Sequence, residues 1–266
     1  MTSQPSETSA APGTPSGAPS GTAYWESVSR ALPETIEGAR ESIAQAADLM
    51  AAALRDKGVI QVFGTGHSQA LAMEVAGRAG GLVPTNQLSL RDRVLFGGED
   101  PDDALDPFAE RDPAVAAKVL ALAEIRDADI FVIASQSGGN GAIVEMARLV
   151  RERGHKIIAV TSVTHSSQIT ARHPSGKRLF ELADVVLDNG APFGDCVLQL
   201  PDGTGVCALS TITGALLLQM TLAETVARLL AAAVTPPLYQ SANVPGSDER
   251  NARLEAEYAG RIRRTA

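Results

Sequence analysis

Val59-Ile60-Gln61-Val62-Phe63-Gly64-Thr65-Gly66-His67-Ser68 reads as a short strand running into a tight turn. The β-branched and aromatic side chains of the first five residues favour an extended chain, and their almost unbroken apolar character predicts cover on both faces. Gly64 and Gly66 then permit φ > 0 and let main-chain N–H groups approach a ligand closely. The device recurs where Ile130-Phe131-Val132-Ile133-Ala134 leads into Ser135-Gln136-Ser137-Gly138-Gly139-Asn140.

Outward from these two units the periodicity changes. Val28, Leu32, Ile36, Ile43, Met50 and Leu54, with Ala39 and Ala46 between them, fall in steps of three, four and seven, which predicts a helix over 24–55 with one buried stripe. Helices are expected over 69–79, near 114–124 and over 142–153, with an extended piece at 82–85 and further strands at 157–161 and 184–187. Strand and helix in regular succession predict an α/β fold: a doubly wound parallel sheet with helices on both faces, forming a single domain over residues 23–235. Residues 1–22 are mostly Ser, Pro, Thr, Gly and Ala with few large apolar groups, and read as a disordered tail. Residues 236–266 read as a C-terminal tail and helix packing on the domain or on a partner subunit.

Composition removes several function classes. The 266-residue chain carries 23 Lys and Arg against 31 Asp and Glu, and a net charge of −8 is no footprint for gripping a nucleic-acid backbone. The two cysteines, Cys196 and Cys207, match no CxxC or zinc half-site spacing and read as reduced thiols. No basic region followed by an apolar stretch opens the chain, so a cytoplasmic protein is expected. Residues 203–223 hold no charge and are long enough to cross a bilayer, but Thr204, Ser210, Thr211, Thr213, Gln219 and Thr221 punctuate them. A buried helix shared with the sheet or with a partner subunit is the preferred reading, with no membrane involved.

In an open parallel sheet, ligands collect beyond the carboxyl ends of the strands. Both glycine-serine turns sit at such ends, and the helix after each turns its positive end toward the same place, which suits a phosphate. Gly66, Ser68, Ser135, Gln136, Ser137, Gly138, Gly139 and Asn140 are therefore the candidate binding residues, Asn140 also being placed to cap the following helix. A dinucleotide fingerprint needs a third glycine where Gln69 stands, and no Gly-Lys-Ser or Gly-Lys-Thr follows either turn. The phosphate is thus assigned to a small molecule, with no cofactor. No HxH or HExxH spacing occurs, so no metal site is expected.

The two turns resemble the signature loops of sugar isomerase (SIS) domains. The fuller string from Gly64 onward, together with Ser241-Ala242-Asn243-Val244-Pro245-Gly246-Ser247-Asp248-Glu249, looks like a branch of that family that includes N-acetylglucosamine-6-phosphate dehydratase. The resemblance implies a homodimer or dimer of dimers, with a phosphosugar across the carboxyl edge of the sheet. Family members isomerise, transfer amino groups, cleave sugar ethers or only sense phosphosugars, so the reaction rests on the site. Phe108-Ala109-Glu110-Arg111-Asp112-Pro113 resembles the segment that carries the base in etherases acting on N-acetylmuramic acid 6-phosphate, which implies that Glu110 removes the C2 proton. Their second acid falls where this chain has Arg78, leaving Glu74, one turn earlier, or His67 in the first loop as candidates to assist the leaving group. The reading is a carbon–oxygen lyase that dehydrates N-acetylglucosamine 6-phosphate, a phosphorylated amino sugar, against the alternatives of an aldose–ketose isomerase and a non-catalytic sensor. Among the other histidines, His155 is expected at the surface, and His165 and His173 flank a polar loop able to close on the sugar.

Overall fold

The computed structural model describes residues 19–263 apart from position 105. Most of the stretch read as a disordered tail, residues 1–18, lies outside the described residues; the remainder begins helix α1, Gly21–Arg55, whose N-cap Ser20 accepts a hydrogen bond from the Ala23 N–H at 3.1 Å. The chain continues through β1 (Ile60–Gly64), a 3₁₀ turn (Gly66–Ser68), α2 (Gln69–Val75), β2 (Thr85–Leu88), α3 (Asp92–Leu95) and α4 (Ala114–Ala121). Next come β3 (Ile130–Ala134), α5 (Gly141–Glu152), β4 (Ile157–Thr161), α6 (Val163–Gln168) and β5 (Val185–Asp188). A hairpin of β6 (Cys196–Gln199) and β7 (Gly205–Ala208), then α7 (Ser210–Ala231) and α8 (Ser247–Ala256), complete the order.

Five strands form one parallel sheet in the order β2-β1-β3-β4-β5. From β1 the chain moves outward to β2 and then returns to the other side of β1 as β3, so strand order reverses between β1 and β3. That reversal is where an open sheet leaves a crevice at its carboxyl edge. The register pairs Gly64 with Ala134, which brings the two glycine-serine turns out of the sheet side by side.

Alternation along the strands divides the core in two. Ile60, Val62, Ile130, Val132 and Val160 pack under α1, α2 and α7, whereas Phe63, Phe131, Ile133 and Ala159 pack under α4 and α5. Burial on both faces is what the continuous apolar runs require. α7 is long and apolar enough to span a membrane by length and composition. In this fold Thr213, Gly214, Leu217, Leu218, Thr221, Thr225 and Leu229 form its buried face. Residues 205–208 of the uncharged run are strand, not helix, because Leu198 and Val206 pair across the antiparallel hairpin.

At the amino edge of the sheet lies a buried polar cluster. Asp129 accepts hydrogen bonds from the N–H groups of Val59 (2.8 Å) and Arg126 (3.2 Å) and from Gln61 Nε2 (3.0 Å). The guanidinium of Arg261, from beyond α8, completes the set as an ion pair whose side chains are 3% and 0% exposed. Asn86 donates to Gln61 Oε1 at 2.8 Å. Tyr239 and Tyr258 pack with Val59 and Val83 beside the cluster. His155 also belongs here and corrects the surface expectation. It is buried, its Nδ1–H donates to the Asp129 carbonyl at 2.9 Å, and its ring rests on Phe131.

Candidate functional site

The first turn leaves β1 and folds at once into the 3₁₀ segment Gly66–Ser68, with Gly66 in the left-handed region at φ +54°. The second turn leaves β3 beside it, and the two are joined where the Gln136 N–H donates to Ser68 Oγ at 3.3 Å. Ser68, Ser135, Gln136, Ser137, Gly138, Gly139 and Asn140 are thus gathered at one edge, over the crevice between β1 and β3.

The second turn is tied down through its carbonyls. Gln136 O accepts from Thr161 Oγ1 and from the Ser162 N–H, both at 3.3 Å, and Ser137 O accepts from Ser166 Oγ at 2.7 Å. Gly138 O and Gly139 O accept from the N–H groups of Leu179 and Arg172, each at 2.8 Å. The Gly138 N–H closes onto Ser135 Oγ at 3.1 Å. With its acceptors consumed by the protein, the loop faces outward with donors. Among the described residues no acceptor meets the N–H groups of Ser137, Gly139 or Asn140, and buried Gln136 Nε2 has no partner. Buried donors without acceptors cost free energy unless a ligand or water satisfies them. Such a cradle has the chemistry to receive an anion.

Asn140 takes the N-cap position of α5, but its side chain makes no capping bond. The expectation is corrected here: Arg172 Nη1 donates to Asn140 Oδ1 at 2.8 Å, so the amide oxygen is turned away from the helix and toward the loop that follows β4. Arg172 was not a sequence candidate. A cation inside an irregular polar loop has no periodic signal to mark it.

Glu110 reaches the site from the long connection between β2 and β3. Its short 3₁₀ turn, Ala109–Arg111, is pressed against the start of α5, where a Cβ at Gly141 would overlap the Arg111 carbonyl oxygen. A Cβ at Gly66 would lie 3.2 Å from Glu110 Oε2. The carboxylate therefore hangs over the first turn. His67, next to Gly66, is exposed.

Glu74 is not brought to these residues. It is ion-paired with Arg78 and accepts a hydrogen bond from Gln219 Nε2 at 2.7 Å. It also borders a small cleft with Leu82 and Thr85, toward the amino end of β2 and away from the carboxyl edge.

The family model described as SIS domain matches residues 23–162, which contain both turns, Glu110 and the strands that carry them. The chain belongs to the SIS domain family. A UPF0309 protein of Listeria monocytogenes is 40% identical over 235 residues, covering 88% of this chain and 95% of its own. A UPF0309 protein of Halalkalibacterium halodurans is 38% identical over 238 residues, covering 89% and 97%. Among solved structures, a phosphoheptose isomerase from Francisella tularensis superposes with a TM-score of 0.54 at 20% identity, covering 77% of this chain and 95% of that one. At that identity the likeness speaks for the fold, and the α/β SIS architecture read from the sequence is the one observed.

Between β4 and β5, this SIS domain holds its two remaining histidines differently, His165 on α6 and His173 in the loop that follows. His173 is buried and bonded to Glu145 and Ser175, away from solvent. His165 stacks on Phe193 and accepts the Gly194 N–H on Nδ1 at 3.0 Å. Burial holds its pKa below the ordinary histidine value, although the nearby Asp195 charge opposes the shift.

Proposed function

We propose that this SIS domain is an enzyme that converts a phosphorylated amino sugar, and that its reaction is the dehydration of open-chain N-acetylglucosamine 6-phosphate. The observation that carries the reading is the placement of the Glu110 carboxylate over Gly66, beside a turn whose carbonyls from Gln136 to Gly139 are bonded within the protein and whose N–H groups at Ser137, Gly139 and Asn140 meet no acceptor among the described residues. The phosphate occupies the donor-lined second turn with Ser68, and the sugar extends toward Glu110. Glu110 takes the C2 proton, made acidic by the C1 aldehyde; the electron pair forms the C2–C3 double bond; the C3–oxygen bond breaks. His67 gives the departing hydroxide its proton, so that water leaves. Glu74 has no part in this step, because Arg78 and Gln219 hold it on the other side of α2.

Turnover in D2O tests the reaction. Dehydration yields an unsaturated aldehyde with strong ultraviolet absorbance and no deuterium at C1. With glucose 6-phosphate, whose C2 carries a hydroxyl, formation of a ketose carrying deuterium at C1 would instead make the protein an isomerase that uses the same base. Unchanged turnover in both Glu110→Gln and His67→Gln would remove the catalytic assignment.

A further inference from the structure

Beside the second turn lies an open recess of about 110 Å³, lined by Ser137, Gly139 and Asn140 of that turn and, among others, by His165, Thr170 and Arg172 from the segment after β4. Arg172 is the one permanently charged side chain along its described lining. One of its N–H groups is spent on Asn140 Oδ1, which leaves the remainder of the guanidinium, and the Asn140 Nδ2 donors, for a ligand. A protein of net charge −8 repels a dianion over most of its surface, so a local cation decides whether such a ligand is held.

Arg172 is fixed from both sides. Its own N–H donates to Gly139 O at 2.8 Å, inside the second turn. The next residue, His173, is 8% exposed and pinned at both ring nitrogens. Its Nδ1 accepts from the Ser175 N–H at 3.1 Å, so Nε2 carries the proton and donates it to Glu145 Oε2 at 2.9 Å. Glu145, on α5, is held in turn by two bonds from Arg148, each at 2.7 Å. The helix that opens at the second turn thus also anchors the residue beside the arginine.

We propose that Arg172 is the counter-charge that makes this site select a doubly ionised phosphate ester, and that the Glu145–His173 pair positions it. The inference rests on reading the second turn as the phosphate cradle. Hydroxyl and amide donors bring hydrogen bonds but no net charge; a guanidinium adds a charge-assisted, two-point contact whose attraction grows with the charge of the ligand.

The test is calorimetric titration of the full-length protein with N-acetylglucosamine 6-phosphate, N-acetylglucosamine 6-sulfate and inorganic phosphate at two salt concentrations. Arg172→Gln is expected to weaken binding of both phosphates at least tenfold, to affect the sulfate ester less, and to flatten the salt dependence. Arg172→Lys should restore part of the loss. His173→Asn should weaken phosphate binding by a smaller factor, and by nothing further in a protein already carrying Arg172→Gln, as a positioning role demands. Because Arg172 is exposed, the Gln variant is expected to keep the wild-type melting profile. If the wild-type protein binds neither phosphate, the cradle itself has been misread. If it binds both, and Arg172→Gln binds them as tightly with an unchanged salt dependence, the cradle stands and the role of Arg172 falls.

Discussion

Gly66→Ala separates two consequences of one added methyl group. Gly66 has φ +54°, and an L-residue in that region costs about 1–2 kcal/mol. In a domain of this size each kcal/mol lowers the melting temperature by about 2–4 °C, so the variant should melt roughly 2–8 °C lower. The new Cβ would also stand 3.2 Å from Glu110 Oε2, tighter than ordinary contact, and the carboxylate must move by a few tenths of an ångström. If 1 Å of misplacement costs on the order of 100-fold, that displacement costs roughly 3- to 10-fold in kcat. The assay is initial-rate turnover of N-acetylglucosamine 6-phosphate, paired with thermal unfolding of the same samples. The decisive comparison repeats Gly66→Ala in a Glu110→Gln protein, where the kcat penalty should vanish because the group it displaces no longer acts as a base. A full penalty in that background, or a loss of stability with unchanged kcat in the single variant, would refute the idea that the methyl acts through Glu110.

Two further outcomes follow from contacts away from the base. Arg261→Met strips buried Asp129 of its counter-charge but leaves three neutral donors, and should cost about 3 kcal/mol, the low end for breaking a buried pair, read as a shift of the urea midpoint. Arg40→Ala, which breaks a pair 69% and 72% exposed, should leave the midpoint in place; equal shifts would overturn the distinction. His165 has its folded pKa lowered by burial, so the fold favours the neutral ring. The stability this contributes is present above the unfolded value of about 6.5 and is lost as pH falls below it toward the folded pKa. Protonation removes the Nδ1 acceptor, and exchange of the Gly194 amide, corrected for its intrinsic rate, should accelerate between pH 7 and 5; a flat profile would contradict the assignment.

The parts of the fold legible in the sequence were those where one interaction decides. The runs 130–134 and 157–161 are strands over their full predicted length, because four or five consecutive apolar residues have nowhere to go but the interior of a covered sheet. Where two effects compete the reading slipped. The helix expected to run to residue 79 stops at Val75, since Gly77 takes φ +75° and the chain turns toward β2. The edge strand Thr85–Leu88 hides its extended nature behind Asn86, a polar side chain made tolerable by Gln61 on the neighbouring strand. His155 looked like a surface residue because its partner, the Asp129 carbonyl, is 26 residues away in sequence. The site divides in the same way. Turns attached to strong strands were visible as motifs, and Glu110 was visible through family resemblance. Arg172 depends on a loop whose course is set by bonds to Gly139, Asn140 and Glu145 that no local pattern announces.

The pairing of Asp129 with Arg261 also bears on how the protein is made. The two residues are separated by 132 positions, and ribosomes add about 5–20 residues per second, so the aspartate waits roughly 7 to 26 seconds for its arginine. During that interval α1 to α4 are complete and the elements from β3 to α8 are being added, yet the amino edge of the sheet holds a carboxylate that lacks its counter-charge. A buried carboxylate without its counter-charge is costly, so this edge of the sheet gains its full stability only once the segment beyond α8 has been made.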